Sequence, residues 1–175
     1  MATNWNIDLM HSEIGFKVKH MMITNVSGHF GSFNASAKTE NEDFSDAEFN
    51  FSADINSIST GVADRDGHLK SDDFFSAEKF PQLTFKSTEI KANGSELVIS
   101  GDLTIRDVTK KVEFKSEFSG IVTDPYGQTK AGLSIDGKIK RSEYGLTWSA
   151  VTEAGNIVVS DEVKLHAELQ FVKIV

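Results

Sequence analysis

Most of the chain alternates apolar and polar residues, which is the period of β-strands that bury one face. The clearest run ends the chain and places on one face Val163, Leu165, Ala167, Leu169 and Phe171. The pattern predicts about eight strands separated by tight turns, of which Asn93-Gly94 is the strongest signal. A single sheet of that length would curl, and closing it into a barrel removes its exposed edges. We therefore predict an all-β chain that forms one antiparallel β-barrel.

Two details concern the first strands. The inward parity shifts by one residue near Gly31, because Phe30 lies on one parity and Phe33 on the other. Such a shift predicts a β-bulge, which bends a strand round a barrel corner. Residues 38–46 carry mostly polar side chains and predict a polar hairpin loop.

The alternation breaks in one stretch of the first half of the chain. Val62, Asp66 and Leu69 recur there at helical spacing. Asp66 and Lys70 lie four residues apart, which is a favourable pair on one face of a helix. We expect one short helix near residues 60–70, inserted between strands of the barrel.

The ends of this helix are predicted from its flanking residues. Ser59 or Thr60 can cap its start with a side-chain oxygen. Gly67 costs about 1 kcal/mol relative to alanine in a helix, so an end at this glycine is an alternative. The apolar pair Phe74 and Phe75 follows, and we interpret helix and pair as a lid over one end of the barrel.

Length and composition limit the choice of partners. The chain has 175 residues, and we expect residues 1–175 to form a single domain with its own core. Its 18 Lys and Arg against 26 Asp and Glu leave a net charge of −8. An acidic surface repels nucleic acid and anionic lipid surfaces, so we expect neither as a partner. The 13 phenylalanines suit a surface that stays dry, because their rings carry no polar group.

The compartment is predicted from what the sequence lacks. The first residues contain no basic region followed by an apolar core, so no secretory signal is recognised. No apolar run approaches the roughly 20 residues that a transmembrane helix needs. Cysteine is absent, which rules out disulfides and fits a reducing compartment. We expect a cytoplasmic protein, or a periplasmic one if the sequence is a processed form with an added Met1.

The histidines are candidates for polar contacts. His20 shares the parity of the apolar residues in its strand, which places it at the barrel mouth. There it could hydrogen-bond a ligand head group or a neighbouring backbone group. His29 and His166 have the outward parity and are expected in solvent, and His11 is expected to tie down the start of the chain.

Arg65, Asp66 and His68 form a polar cluster in the predicted helix. One interpretation is catalytic. The other is a structural knot in which Arg65 bridges to a carboxylate or to loop carbonyls, and we favour this second interpretation. No pair of histidines has a metal-binding spacing and no nucleophile or phosphate-binding motif occurs, so we expect neither a metal nor a cofactor.

Several motifs, in order along the whole chain, resemble YceI-like proteins. The opening of that family is similar to Trp5-x-Ile7-Asp8-x-x-His11-Ser12-x-Ile14-x-Phe16-x-Val18-x-His20 and then Val26-x-Gly28-x-Phe30. Its most recognisable stretch is similar to Ser57-Ile58-x-Thr60 followed by Arg65-Asp66-x-His68-Leu69-x-Ser71-x-Asp73-Phe74-Phe75. The match continues with Phe80-Pro81-x-Leu83-Thr84-Phe85-x-Ser87-Thr88, Gly101-x-Leu103-Thr104-Ile105-x-x-Val108-Thr109-Lys110 and Arg141-x-x-Tyr144-Gly145.

The resemblance implies a lipocalin-like barrel whose apolar tunnel holds a polyisoprenoid or a similar long-chain amphiphile. On that basis we expect a binding protein, not an enzyme, that stores or transports a lipid such as a polyprenyl quinone or polyprenyl phosphate. Inward parity and the resemblance together predict ligand contacts from a set of mostly aromatic residues. This set is Phe16, Val18, His20, Phe30, Phe49, Phe51, Leu69, Phe74, Phe75, Phe85, Leu103, Phe114 and Ile135, of which Leu69, Phe74 and Phe75 would close one end.

Two alternatives remain open from the sequence. The first is an enzyme that acts on such a lipid inside the barrel, with His20 or the Arg65, Asp66 and His68 cluster as acid–base groups. The second is a structural or stress-related barrel with a filled interior, since eight strands can fill a barrel with side chains or hold one small ligand. A homodimer is expected by analogy with the family alone.

Overall fold

The computed structural model describes residues 2–21, 23–148 and 159–174. Strands form most of this part of the chain, with three short 3-10 turns at Leu9–His11, Ile55–Ser57 and Arg141–Tyr144. The single α-helix of the described residues is α1 (Ala63–Lys70). The strands are β1 (Thr3–Ile7), β2 (Glu13–His20), β3 (Thr24–Phe30), β4 (Phe33–Thr39), β5 (Glu48–Asp54), β6 (Ile58–Ser59), β7 (Gln82–Asn93), β8 (Glu96–Ile105), β9 (Val108–Thr123), β10 (Thr129–Lys140) and β11 (Val159–Lys173).

All of these strands belong to one antiparallel sheet that closes on itself. β1 pairs with β4 on one side and with β11 on the other, which joins the two ends of the sheet. Along its other half, β11 pairs with β2, which in turn pairs with β3. β1 and β2 together fill one strand position in the wall of the barrel, and so do β3 with β4 and β5 with β6. The 11 strands therefore form a closed barrel of 8 strands. The predicted barrel with one inserted helix is confirmed.

The shift of parity near Gly31 is real, but the predicted bulge is wrong. β3 ends at Phe30 and β4 begins at Phe33, so the chain breaks between two strands. The Gly31 N–H donates to the carbonyl of Ser57 at 3.1 Å, and this hydrogen bond is not part of the pairing between two strands. The break changes the strand partners, because β3 pairs with β2 and β6 whereas β4 pairs with β1 and β5.

Helix α1 lies where it was predicted, but its start and end differ in detail. The residue before the helix is Val62, whose side chain offers no capping oxygen, so the predicted caps at Ser59 or Thr60 are wrong. Instead, the Thr60 N–H and Oγ1 donate to Asp66 Oδ1 at 2.8 and 2.6 Å, which ties the helix to the residues before it. Gly67 lies inside the helix, because the helix continues to Lys70.

The loop between β4 and β5 corrects a third prediction. Phe44, in the segment predicted as a polar hairpin, is completely buried. Its ring stacks on Phe118 with centroids 4.9 Å apart and lies 5.2 Å from Trp5. We call the end of the barrel closed by Trp5, Phe44 and Phe118 the plug end, and the opposite end, where α1 lies, the lid end.

Candidate functional site

An apolar cavity of about 180 Å³ lies inside the barrel, bordered by the inward faces of the strands and by α1. Every residue of the predicted ligand-contacting set except His20 lines this cavity. These residues are Phe16, Val18, Phe30, Phe49, Phe51, Leu69, Phe74, Phe75, Phe85, Leu103, Phe114 and Ile135. The structure therefore brings the set together around one space, whereas their contact with a ligand stays a prediction.

His20 lies outside the set that lines the cavity in the described part of the chain. It is the last residue of β2, and its carbonyl accepts hydrogen bonds from the Ile23 N–H and Thr24 Oγ1 of the following turn, at 3.2 and 3.5 Å. Parity alone placed it with the inward residues. His20 is thus the last residue of its strand and not one of the lining residues, and its contact with a ligand stays a prediction.

Sequence reasoning missed several lining residues. Inward parity was a sufficient signal for the members that lie on strands, and they could have been included. These are Ile14, Ala35, Leu83, Ile99, Ile105, Ile139, Val163, Leu165, Ala167, Leu169 and Phe171. Leu146 and Arg141 also line the cavity, but they lie in or after a 3-10 turn where no strand period predicts their direction.

The burial of the lining residues differs between the two ends. Near the plug end, the lining residue Phe171 is fully buried. Toward the lid end, Val18, Leu69 and Phe75 are only half-buried although they face inward. In the described residues the cavity is therefore closed at the plug end and most accessible at the lid end.

The polar cluster at the start of α1 acts as a knot. Arg65 donates from Nε to Thr60 Oγ1 and from Nη2 to the Thr60 carbonyl, both at 2.7 Å. Asp66 accepts from the same residue, and the Thr60 hydroxyl holds the pKa of this carboxyl below its ordinary value. His68 Nε2 lies 2.8 Å from Asp73 Oδ2. Arg65, Asp66 and His68 are all absent from the lining of the cavity among the described residues, so their geometry fits the structural interpretation.

Arg141 is the buried charged side chain of the cavity lining. Its guanidinium donates from Nη1 to the carbonyls of Leu146 and Trp148 at 2.6 and 2.8 Å. It also donates from Nε to Ser160 O at 3.0 Å and from Nη2 to Val159 O at 3.2 Å. Burial lowers the pKa of Arg141, yet the group stays charged because an arginine pKa lies far above neutrality. These bonds fasten the 3-10 turn to the start of β11.

The other histidines with a predicted position are exposed, and His166 also borders the cavity. His166 is exposed, as predicted, and hydrogen bonds to Asp136 and Glu168 raise its pKa. His29 is also exposed. His11 Nδ1 lies 2.8 Å from Asp8 Oδ2, and Lys130 Nζ contacts the same oxygen at 3.1 Å. His11 therefore takes part in fixing the start of the chain, as predicted.

No group of three or more His, Cys, Asp or Glu side chains in the described ranges is arranged to hold a metal ion. No helix in the described part of the chain has the length and apolar character to cross a bilayer.

The chain is similar to known proteins over nearly its whole length. A model of the YceI-like domain matches residues 5–171. A UPF0312 protein of Staphylococcus aureus strain USA300 is 34% identical over 170 residues, which cover 97% of each chain. The crystal structure of BcnA from Burkholderia cenocepacia superposes with a TM-score of 0.81 at 23% identity, covering 94% of this chain and 98% of that one. A polyisoprenoid binding domain from Saccharophagus degradans has a TM-score of 0.68 at 17% identity, with coverage of 96% and 97%.

Proposed function

Because the chain belongs to the YceI-like family, we propose that it binds a long-chain apolar lipid, of the polyisoprenoid class, inside its barrel. The observation that carries the proposal is the apolar cavity enclosed by the inward aromatic residues. The similar fold of a polyisoprenoid binding domain supports the choice of ligand class. The tail lies in the cavity and the polar head points to the lid end, where the lining is most accessible.

The gain from burying such a tail is large enough for useful affinity. Burying about ten methylene equivalents gains roughly 8 kcal/mol. The loss of freedom on association takes back part of this gain. Micromolar or tighter binding is therefore accessible without any ion pair between ligand and protein.

The size of the cavity limits how the chain is held. Its volume of about 180 Å³ exceeds that of an engineered protein cavity of about 150 Å³ that binds benzene. It is smaller than the roughly 300–1,000 Å³ of sites that enclose drug-sized ligands. One segment of the tail therefore fills the cavity, and the rest lies along the half-buried residues at the lid end, such as Leu69 and Phe75.

The proposed binding is tested on the purified protein. Organic-solvent extraction followed by mass spectrometry is expected to yield a long-chain lipid, and stripped protein is expected to take up an added polyprenyl quinone. Ile135→Gln places an amide in the cavity lining and is expected to weaken uptake. Ser134→Gln, the neighbouring residue on β10 outside the lining, is the matched control. No extracted lipid together with no uptake would refute the proposal.

The same experiments separate this proposal from its alternatives. An enzyme needs an acid or base within hydrogen-bond reach of a reactive atom in the cavity. The knot of Arg65, Asp66 and His68 lies outside the lining in the described part of the chain, so this cluster does not favour the enzyme. A filled barrel would exclude any tail, whereas a bound lipid recovered chemically unchanged after long incubation supports a carrier or store.

A further inference from the structure

Three glycines on the inner face of the barrel each lie beside a phenylalanine ring of a neighbouring strand. The pairs are Gly28 with Phe16, Gly101 with Phe85, and Gly137 with Phe114. All three rings line the cavity. Each glycine is therefore placed where its lack of a side chain affects the space that a ligand would occupy.

The distances show that each ring fills the space of the missing side chain. A Cβ built on Gly137 would lie 2.6 Å from Phe114 Cε1 and closer still to Cδ1. A Cβ on Gly28 would lie 2.8 Å from Phe16 Cε1. Separations under 3.0 Å do not occur around real Cβ atoms, so these rings could not keep their positions beside an alanine.

This arrangement directs the rings along the wall and away from the barrel axis. A phenylalanine on a closed sheet normally projects into the interior, because side chains stand roughly perpendicular to the strands. Here the edge of the ring lies over the backbone of the next strand. Phe114 also contacts Phe85 edge-on, with centroids 5.2 Å apart, so it is held between that ring and Gly137.

We propose that these three glycine–phenylalanine pairs set the bore of the cavity and so select one slender hydrocarbon chain over wider apolar molecules such as sterols. The inference rests on the proposed function and adds the residues that determine ligand width. A methyl group at any of the three glycines pushes the paired ring toward the axis, because backbone lies behind it. The narrowed bore then weakens the binding of the chain.

Gly137→Ala is the most informative substitution. The three atoms nearest to the built Cβ all belong to the side chain of Phe114, whereas a Cβ on Gly101 would also collide with the Lys86 carbonyl. Gly132→Ala is the matched control, because it makes the same change on β10 with its nearest atom, Ser119 Cβ, at an ordinary 3.6 Å. Affinity for trans-parinaric acid, a slender fluorescent chain, is read by fluorescence titration, with folding monitored by circular dichroism.

The displaced ring takes the room of about two methylene groups, so Gly137→Ala is expected to bind parinaric acid roughly tenfold more weakly. Gly132→Ala is expected to bind like the parent, and Phe114→Leu added to Gly137→Ala is expected to restore binding. Unchanged affinity in Gly137→Ala, or no recovery in the double variant, would overturn the proposal.

Phe114→Leu alone widens the bore where Gly137→Ala narrows it, and it tests the proposal if Gly137→Ala does not fold. It is expected to admit dehydroergosterol, a fluorescent sterol that the parent excludes, and continued exclusion would contradict the proposal. Xenon-129 NMR measures the uptake of xenon into the cavity when no lipid is present. If the parent takes up xenon but no slender chain, the proposed function fails, while reduced xenon uptake in Gly137→Ala relative to Gly132→Ala still supports the bore determinants.

Discussion

At the scale of single residues, Phe44 shows how much one side chain contributes to the site. It is fully buried, and its backbone has a φ of +61°, a left-handed conformation that phenylalanine rarely adopts. The loop accepts this conformation because the ring then packs on Trp5 and Phe118. This ring is therefore part of the closure of the plug end.

Phe44→Ala is expected to destabilise the protein by about 3–5 kcal/mol, because a fully buried aromatic side chain is removed and leaves a space behind. Urea denaturation followed by tryptophan fluorescence measures the loss. Tyr126→Ala is the control, since that ring is 91% exposed and its removal should leave the free energy of unfolding nearly unchanged. A loss below about 1 kcal/mol for Phe44→Ala would contradict the role of plug.

At the scale of elements, α1 is held by its ties to neighbouring residues more than by its own propensity. It has no side-chain cap, and it contains Gly67. Within the knot, the hydrogen bonds that Thr60 makes with Asp66 and Arg65 supply the missing fixation. Leu69 then lies over the cavity as part of the lid.

This knot makes the lid sensitive to acid. The pKa of Asp66 is lower in the folded protein than its usual value of 3.8, chiefly through the Thr60 hydroxyl. A carboxyl with a depressed folded pKa stabilises the fold above its unfolded pKa, and this stabilisation is lost as the pH falls through the folded value. Asp66→Asn should therefore lower stability at neutral pH, with the difference from the parent beginning to shrink near about pH 4 and vanishing below the lowered folded pKa.

Hydrogen exchange of the α1 amides at several pH values provides the measurement. Faster exchange in Asp66→Asn at pH 7, converging with the parent at low pH, is the expected result. Asp64→Asn, on the exposed side of the same helix, serves as control. Equal exchange of Asp66→Asn and the parent at neutral pH would show that the knot does not hold the lid.

At the scale of the whole molecule, β1 is the short strand on which closure depends. It pairs with β4 and β11 at once, and Trp5 Nε1 donates to Thr39 Oγ1 at 3.0 Å across this seam. The lid-end half of the seam is closed separately by β2. Loss of β1 would therefore open the plug end alone.

Removal of residues 1–7 is expected to expose the edges of β4 and β11 and to cause self-association, because unpaired strand edges pair with other chains. Size-exclusion chromatography with light scattering detects it. Removal of residues 1–2, which precede the first strand, is the control. A truncated chain with the mass and lipid uptake of the parent would show that β1 is dispensable.

The homodimer, the compartment and the absence of nucleic-acid partners stay predictions from the sequence.

The sequence by itself determined which side chains face the interior. Alternation is a local property with a period of two, so the inward rows, the meander of about eight strands and the interrupting helix could be read without coordinates. Parity did not show which residues border the cavity where a strand stops, as at His20, and it carried no information in loops and turns, as at Phe44 and Arg141. The partners of those residues come from distant parts of the chain.

Only the tertiary structure decided that the interior is hollow. Parity states the direction of a side chain but not the distance to the opposite wall, which depends on strand number, on closure and on neighbours across strands. Gly137 and Phe114 illustrate this dependence, because nothing in either strand alone shows that the ring lies over the glycine. The cavity is a product of such pairings between residues far apart in the sequence.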